Sequence, residues 1–172
     1  MACASARRSR LSTRAARFAP AQVRRALARI AVVDTTVRLA DPGEAVLIVG
    51  LWRDADAAPS ATDSVEWVEA LAARRDAWVL VAEADGRLVG TLIVTFDGWR
   101  GHFYRLAVSP ELRRQGIALR LVREGERRLR DAGAHRVAAI VLDDRDDSLA
   151  FWVAAGFAHQ VEATRFTKLL GT

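Results

Sequence analysis

Short β-prone apolar runs and longer stretches with helical spacing alternate along the chain, separated by turn residues. Residues 35–39 alternate enough for an opening strand. Asp41-Pro42 reads as N-cap and first helical residue of a helix running through Val46, Leu47, Val49 and Leu51 towards Trp52. A polar loop follows over 54–62, and Asp63 or Ser64 then caps a second helix that turns Val65, Val68, Leu71 and Ala72 inward. Strands are predicted over 77–84, 87–96 and 102–108. Asp85-Gly86 is the strongest hairpin signal in the chain, and residues 97–101 form the next turn. Three antiparallel strands therefore precede a long amphipathic helix, whose stripe is Ala118, Leu121, Val122, Gly125, Leu129 and Ala132, with Gly133 ending it. Residues 136–142 are nearly continuously apolar, as in a buried strand. Because a helical crossover leads into it, this strand should lie parallel to the one ending at Val108. Asp146 or Asp147 caps a short helix through Phe151 and Trp152 to Gly156, and residues 157–160 and 164–169 are expected as closing strands. No internal repeat is visible.

With 172 residues, the chain can bury one sizeable core. Its charge is uneven. Residues 1–33 hold 8 Arg and no acid, while the remainder holds 18 basic and 21 acidic residues, a balance of −3. The high pI therefore belongs to a basic arm, read as disorder or sequence outside the fold. The domain is expected over 34–172, where no broad nucleic-acid footprint exists. A partner contact and an upstream stretch never translated stay open as readings of the arm. The arm lacks the apolar centre of a secretory signal, and no apolar run approaches the ~18 residues of a membrane span. A cytoplasmic protein is the expectation. The lone Cys3 excludes an internal disulfide framework, and His102, His135 and His159 show no metal-ligand spacing, so no metal is expected.

The chemistry concentrates between Tyr104 and Ala118. A β-prone run stops at Ser109-Pro110, a basic turn with Gly116 follows, and the long helix begins. Unpaired N–H groups and the dipole at a helix start attract anions, and a diphosphate is the natural guest. Gly116 lets backbone approach phosphate closely.

Arg113-x-x-Gly116-x-Ala118, preceded by Leu106-Ala-Val-Ser-Pro, resembles the pyrophosphate-binding motif of the GNAT superfamily of N-acetyltransferases. Ser148-Leu-Ala-Phe151-Trp152-Val-Ala-Ala-Gly156-Phe157 is similar to the family's later helix-to-strand segment. The resemblance covers residues 34 onward. It implies an α+β fold with a mixed, mostly antiparallel sheet of six to seven strands, splayed between the fourth and fifth and flanked by about four helices. It also implies acetyl-CoA as cosubstrate. Its pantetheine would pair with Leu106, Ala107 and Val108 and meet Ser148 and Phe151. Its diphosphate would rest on Arg113, Arg114, Gln115, Gly116, Ile117 and Ala118.

The implied activity is acetyl transfer to a primary amine of a small molecule or peptide by direct attack in a ternary complex, with Val108 N–H as oxyanion donor. The sequence departs from the family at several places. Trp152 stands where a Tyr usually serves the leaving thiolate, and indole cannot act as a general acid. Arg145 stands for an Asn. Tyr104 stands for a carboxylate and is read either as a proton relay or as a pocket wall. Among the carboxylates Glu83, Asp97, Asp143 and Asp144, Asp144 is the first choice of base because strand ends flank the wedge. Trp52 and Trp67, with Asp54, Asp56, Glu66 and Glu69, mark the expected acceptor side, although Trp at helical spacing is more often core. No specific nucleic-acid partner and no membrane span are expected, and a homodimer is compatible. The departures also leave open a non-catalytic acyl-CoA-binding or regulatory module.

Overall fold

In a computed structural model of the chain, the described residues are 34–141 and 146–169. The elements run β1 (Thr36–Leu39), α1 (Ala45–Asp54), α2 (Val65–Ala72), β2 (Ala77–Ala84), β3 (Arg87–Phe96), β4 (Gly101–Val108), α3 (Ile117–Asp131), β5 (Val137–Ala139) and α4 (Asp146–Ala154). A single 3-10 turn, Pro110–Leu112, links β4 to α3. Among the described residues one sheet forms, in the order β1-β2-β3-β4-β5. The first three pairings are antiparallel, and β4 with β5 is parallel. Asp85 and Gly86 both take positive φ (50° and 71°), the pairing that lets a two-residue turn follow the strand twist.

Period-two alternation assigns the two sheet faces. Val79, Val81 and Ile93 receive Ile48, Val49 and Trp52 of α1 and Val68 of α2. The opposite face, with Ala82 and Val94, receives Ile117, Leu121, Val122 and Leu129 of α3. That helix packs tightly at Gly125, where a Cβ would stand 2.9 Å from Phe103 and 3.0 Å from Val94. The glycine is thus a packing requirement rather than a gap in the stripe.

Four sequence expectations need correction. Helix α1 starts at Ala45 rather than at Pro42, because Gly43 at φ 89° closes a turn in which Glu44 N–H donates to Asp41 C=O at 3.2 Å. Ala72 and Ala132 are exposed, each lying at a helix end. The strand expected over 136–142 is confined to three half-buried residues, and Ile140 is exposed. The closing strands over 157–160 and 164–169 are absent. Those residues run without a ladder, so the strand count among the described residues is five, not six to seven. With no outer neighbour among the described residues, β5 is an edge strand and its apolar sequence stays half covered.

The opening strand is tied down by charge. Arg38 donates from Nε and Nη2 to Glu83 on β2 at 3.0 and 2.8 Å, and from Nη1 and Nη2 to Glu44 ahead of α1 at 2.8 Å each. The Arg38 hydrogen bonds hold the Glu44 carboxyl below its ordinary range, against the opposing effect of partial burial. A depressed carboxyl contributes stability that is present above its ordinary value and lost as pH falls through the depressed folded value. Urea unfolding at neutral pH and at about pH 3 is therefore expected to differ less for Glu44→Gln than for the parent. An equal difference in both would show that Glu44 does not contribute to the acid limb.

Candidate active site

The site grows from an irregularity in β4. Between the pairs Thr91↔Ala107 and Ile93↔Tyr104, β4 carries one residue more than β3. Such a bulge bends a strand and re-aims its side chains. Arg105 absorbs the kink with φ 53°. Thr91, fully buried, donates its hydroxyl to the Arg105 carbonyl at 3.1 Å and accepts the Trp52 indole N–H at 2.9 Å. A buried chain from α1 through β3 thus fixes the bulge.

Beyond the bulge β4 leaves its neighbour. The β4–β5 ladder holds only Gly101, His102 and Phe103, so residues 104–108 have no β5 partner on that side. Ser109 N–H donates to Val89 C=O at 2.9 Å, which makes Gly90↔Val108 a pair without mutual hydrogen bonds. By antiparallel alternation the Val108 N–H points away from β3, towards the gap.

The chain then enters the cradle. Arg114 and Gly116 take φ 65° and 81°, and Gly116 is the N-cap of α3. A Cβ on Gly116 would meet nothing within 4 Å, so its surroundings are open. Arg113 turns inward and donates from Nη2 to Ala55 C=O at 2.8 Å and from Nε to Val108 C=O at 3.4 Å. It fastens the loop to the end of α1 and to β4. The Arg114 side chain is 85% exposed and lies 3.8 Å from Asp147 of α4.

A cleft of about 1540 Å³ joins these parts. It runs from Arg114, Gly116 and Ala118 past residues 104–108 to a wall made by Ala57, Pro59, Trp67 and Leu71, with α4 contributing Ser148, Phe151 and Trp152. Trp152 packs on Phe157 at 4.8 Å, on Phe151 at 5.4 Å and on Phe103 at 6.2 Å between ring centroids. It joins an aromatic cluster holding α4 beside the gap.

Of the residues expected at the site, Tyr104, Leu106, Ala107, Val108, Arg113, Arg114, Gly116, Ile117, Ala118, Ser148 and Phe151 all line this one cleft. Gln115 does not. Its Oε1 is buried without a partner, and the residue faces a second groove beside Thr35 and Arg120. Asp144, Asp143 and Arg145 lie outside the described residues. The two other carboxylates considered as bases are engaged elsewhere. Glu83 accepts from Arg38. Asp97 accepts the N–H groups of Arg100 and Trp99 at 2.6 and 2.8 Å, which hold its pKa below the ordinary range, that of Arg100 foremost. The Tyr104 ring stacks on His102, with centroids 6.1 Å apart.

On the far wall the carboxylate is Asp63, rather than Asp54, Asp56, Glu66 or Glu69, and Trp52 lies beneath as core. Sequence reasoning missed Asp63 except as a cap, and missed Arg105 altogether. Arg105 donates to Asp63 and, at 2.6 Å, to Ala58 C=O, with its guanidinium 5.4 Å above the Trp52 ring. The signal was present. In an unbroken strand Arg105 would share the buried face of Phe103, and a charge there demands a bulge.

Residues 48–157 match the model of the acetyltransferase (GNAT) family. Among solved structures, an aminoglycoside antibiotic 6'-N-acetyltransferase from Acinetobacter haemolyticus is 20% identical, covering 79% of this chain and 99% of its own, with a TM-score of 0.66. AAC(6')-Iy in complex with a bisubstrate analogue, CoA-S-monomethyl-acetylneamine, is 17% identical, covers 80% and 99%, and also has a TM-score of 0.66. A transcriptional regulator from Bacillus halodurans is 21% identical, covers 78% and 100%, and has a TM-score of 0.65. At these identities the likeness is one of fold.

Proposed function

The chain belongs to the GNAT acetyltransferase family, and from that premise we propose that it transfers the acetyl group of acetyl-CoA to a primary amine by direct attack in a ternary complex. The observation that carries this reading is the continuity of one cleft from the Gly116 cradle, past the free side of β4, to a chamber walled by α2 and the loop before it. In this reading the diphosphate lies against the amides of residues 114–118 with Arg114 beside it, and Arg113 keeps the cradle in place through Ala55 and Val108. The pantetheine arm takes the place of a strand along Leu106, Ala107 and Val108.

The amine must arrive neutral. Its nitrogen bonds to the thioester carbon, the carbonyl oxygen becomes an oxyanion facing the Val108 N–H, and the C–S bond then breaks. One proton leaves the nitrogen and one ends on the thiol sulfur. Tyr104, on the cleft wall, stands where it can pass a proton towards solvent. Solved relatives whose names specify aminoglycosides or a CoA analogue support a small-molecule amine as acceptor. No helix among the described residues is long and apolar enough to cross a membrane.

The test is thiol release from acetyl-CoA in the presence of a panel of primary amines, with acetyl-CoA binding followed by calorimetry. Saturable binding and amine-dependent release are expected. A second reading, a non-catalytic acyl-CoA-binding module, is favoured by Trp152, whose indole cannot protonate a thiolate and is packed among Phe103, Phe151 and Phe157. Binding with no release above the amine-free rate for any amine would select that second reading.

A further inference from the structure

We propose that the acceptor is a monoamine with an apolar, aryl-bearing body, and that the Arg105–Asp63 pair excludes polycations from the acceptor chamber. The inference rests on the acetyl-transfer reading and deepens it. Among the described residues lining the cleft, the guanidiniums of Arg105, Arg113, Arg114 and Arg165 face only two carboxylates, Asp63 and Asp147. Asp147 lies at the cradle end, near Arg114. Among the described residues the acceptor end therefore has Asp63 alone, and Asp63 is already neutralised. Its Oδ2 accepts from Arg105 Nη2 and from Ser60 N–H at 2.8 Å, and both partners of the ion pair have side chains only 18% exposed.

A polycation entering this chamber would shed water from several ammonium groups and find, among the described residues, no unpaired carboxylate to meet them. A single amine avoids this cost, because it must lose its proton before attack anyway. The apolar part of the chamber wall is Ala57, Pro59, Trp67, Val68, Leu71 and Ile93, and the polar groups beside it, Ser60, Thr62, Thr95 and Tyr104, are hydroxyls that carry no charge. Trp67 is 60% exposed and offers a flat face that an aryl group covers. Arg105 cannot swing aside to change this balance. Its carbonyl is held by Thr91, and its guanidinium by Ala58 and Asp63.

The experiment compares phenethylamine with spermidine and kanamycin by thiol release, using the full chain. The kcat/KM for phenethylamine is expected to exceed that for either polycation by about tenfold or more. In Arg105→Met the Asp63 carboxylate is freed, and the ratio is expected to move towards the polycations. Asp63→Asn frees the Arg105 charge instead and should lower polycation turnover further, which keeps the idea testable if Arg105→Met fails to fold. A polycation turned over as well as phenethylamine, with acetyl-CoA affinity intact, overturns the acceptor assignment and leaves acetyl transfer standing. An unchanged ratio in both variants removes the pair from specificity control. Loss of acetyl-CoA binding in the parent protein itself would instead defeat the transfer reading on which the assignment rests.

Discussion

Gly116→Glu is expected to weaken acetyl-CoA binding by about 100-fold or more, close to 2.7 kcal/mol. Two effects combine. A side chain at φ 81° is strained by about 1–2 kcal/mol, and this acts on the fold whether or not ligand is present. The second effect acts on the ligand alone. A Cβ at this position meets no protein atom within 4 Å, so the new carboxylate would project into the space the cradle leaves for a diphosphate. Like charges placed there cost several kcal/mol. Gly116→Ala separates the two, since it carries the backbone strain without the charge. Calorimetry should find Gly116→Ala modestly weakened and Gly116→Glu without measurable binding, while their melting temperatures stay close together. Unchanged affinity in the glutamate variant would remove the cradle from the site.

Trp52→Ala is expected to cost about 3–5 kcal/mol, the usual range for emptying a large aromatic site in a core. The side chain is 3% exposed and packs in the α1/α2 face of the sheet. For a protein of this size that loss lowers the melting temperature by about 10 °C or more. Trp52→Phe keeps most of the volume and removes only the N–H that reaches Thr91 at 2.9 Å, so about 1 kcal/mol is expected. The two variants also differ in what they do to the site. Without the indole N–H, Thr91 loses its donor in both variants, and in Trp52→Ala Arg105 also loses the ring beneath its guanidinium, so the β4 bulge should loosen and acceptor KM should rise even in the milder variant. A Trp52→Ala protein as stable as its parent would show that this face of the sheet is held by something other than α1.

The parts of the site that lie along one stretch of chain were legible without coordinates. Strand β4, the turn at Ser109-Pro110, Gly116 and the apolar stripe of α3 succeed one another without interruption, and each follows from local chemistry. Gly116 takes positive φ because a helix start after a tight turn asks for it. Stretches whose structure depends on a distant neighbour were misjudged. Residues 164–169 have strand-like composition, yet a strand exists only where another strand accepts its hydrogen bonds, and none does so here. The partners of Arg113 are equally out of local reach: its guanidinium is bonded to two backbone carbonyls, one of them 58 residues away at Ala55.

By itself the sequence determined the order of elements, the turn at Asp85-Gly86 and the anion-seeking helix start, since periodicity, turn chemistry and an uncapped helix end act over a few residues. Tertiary structure decided where β4 parts from β5, and which carboxylate stands on the acceptor wall and what neutralises it. Arg105 and Asp63 are 42 residues apart and meet only because a bulge in one strand turns a side chain from the core towards a loop. Pairings of that kind are set by packing across the sheet and leave no period in the chain for a reader to find.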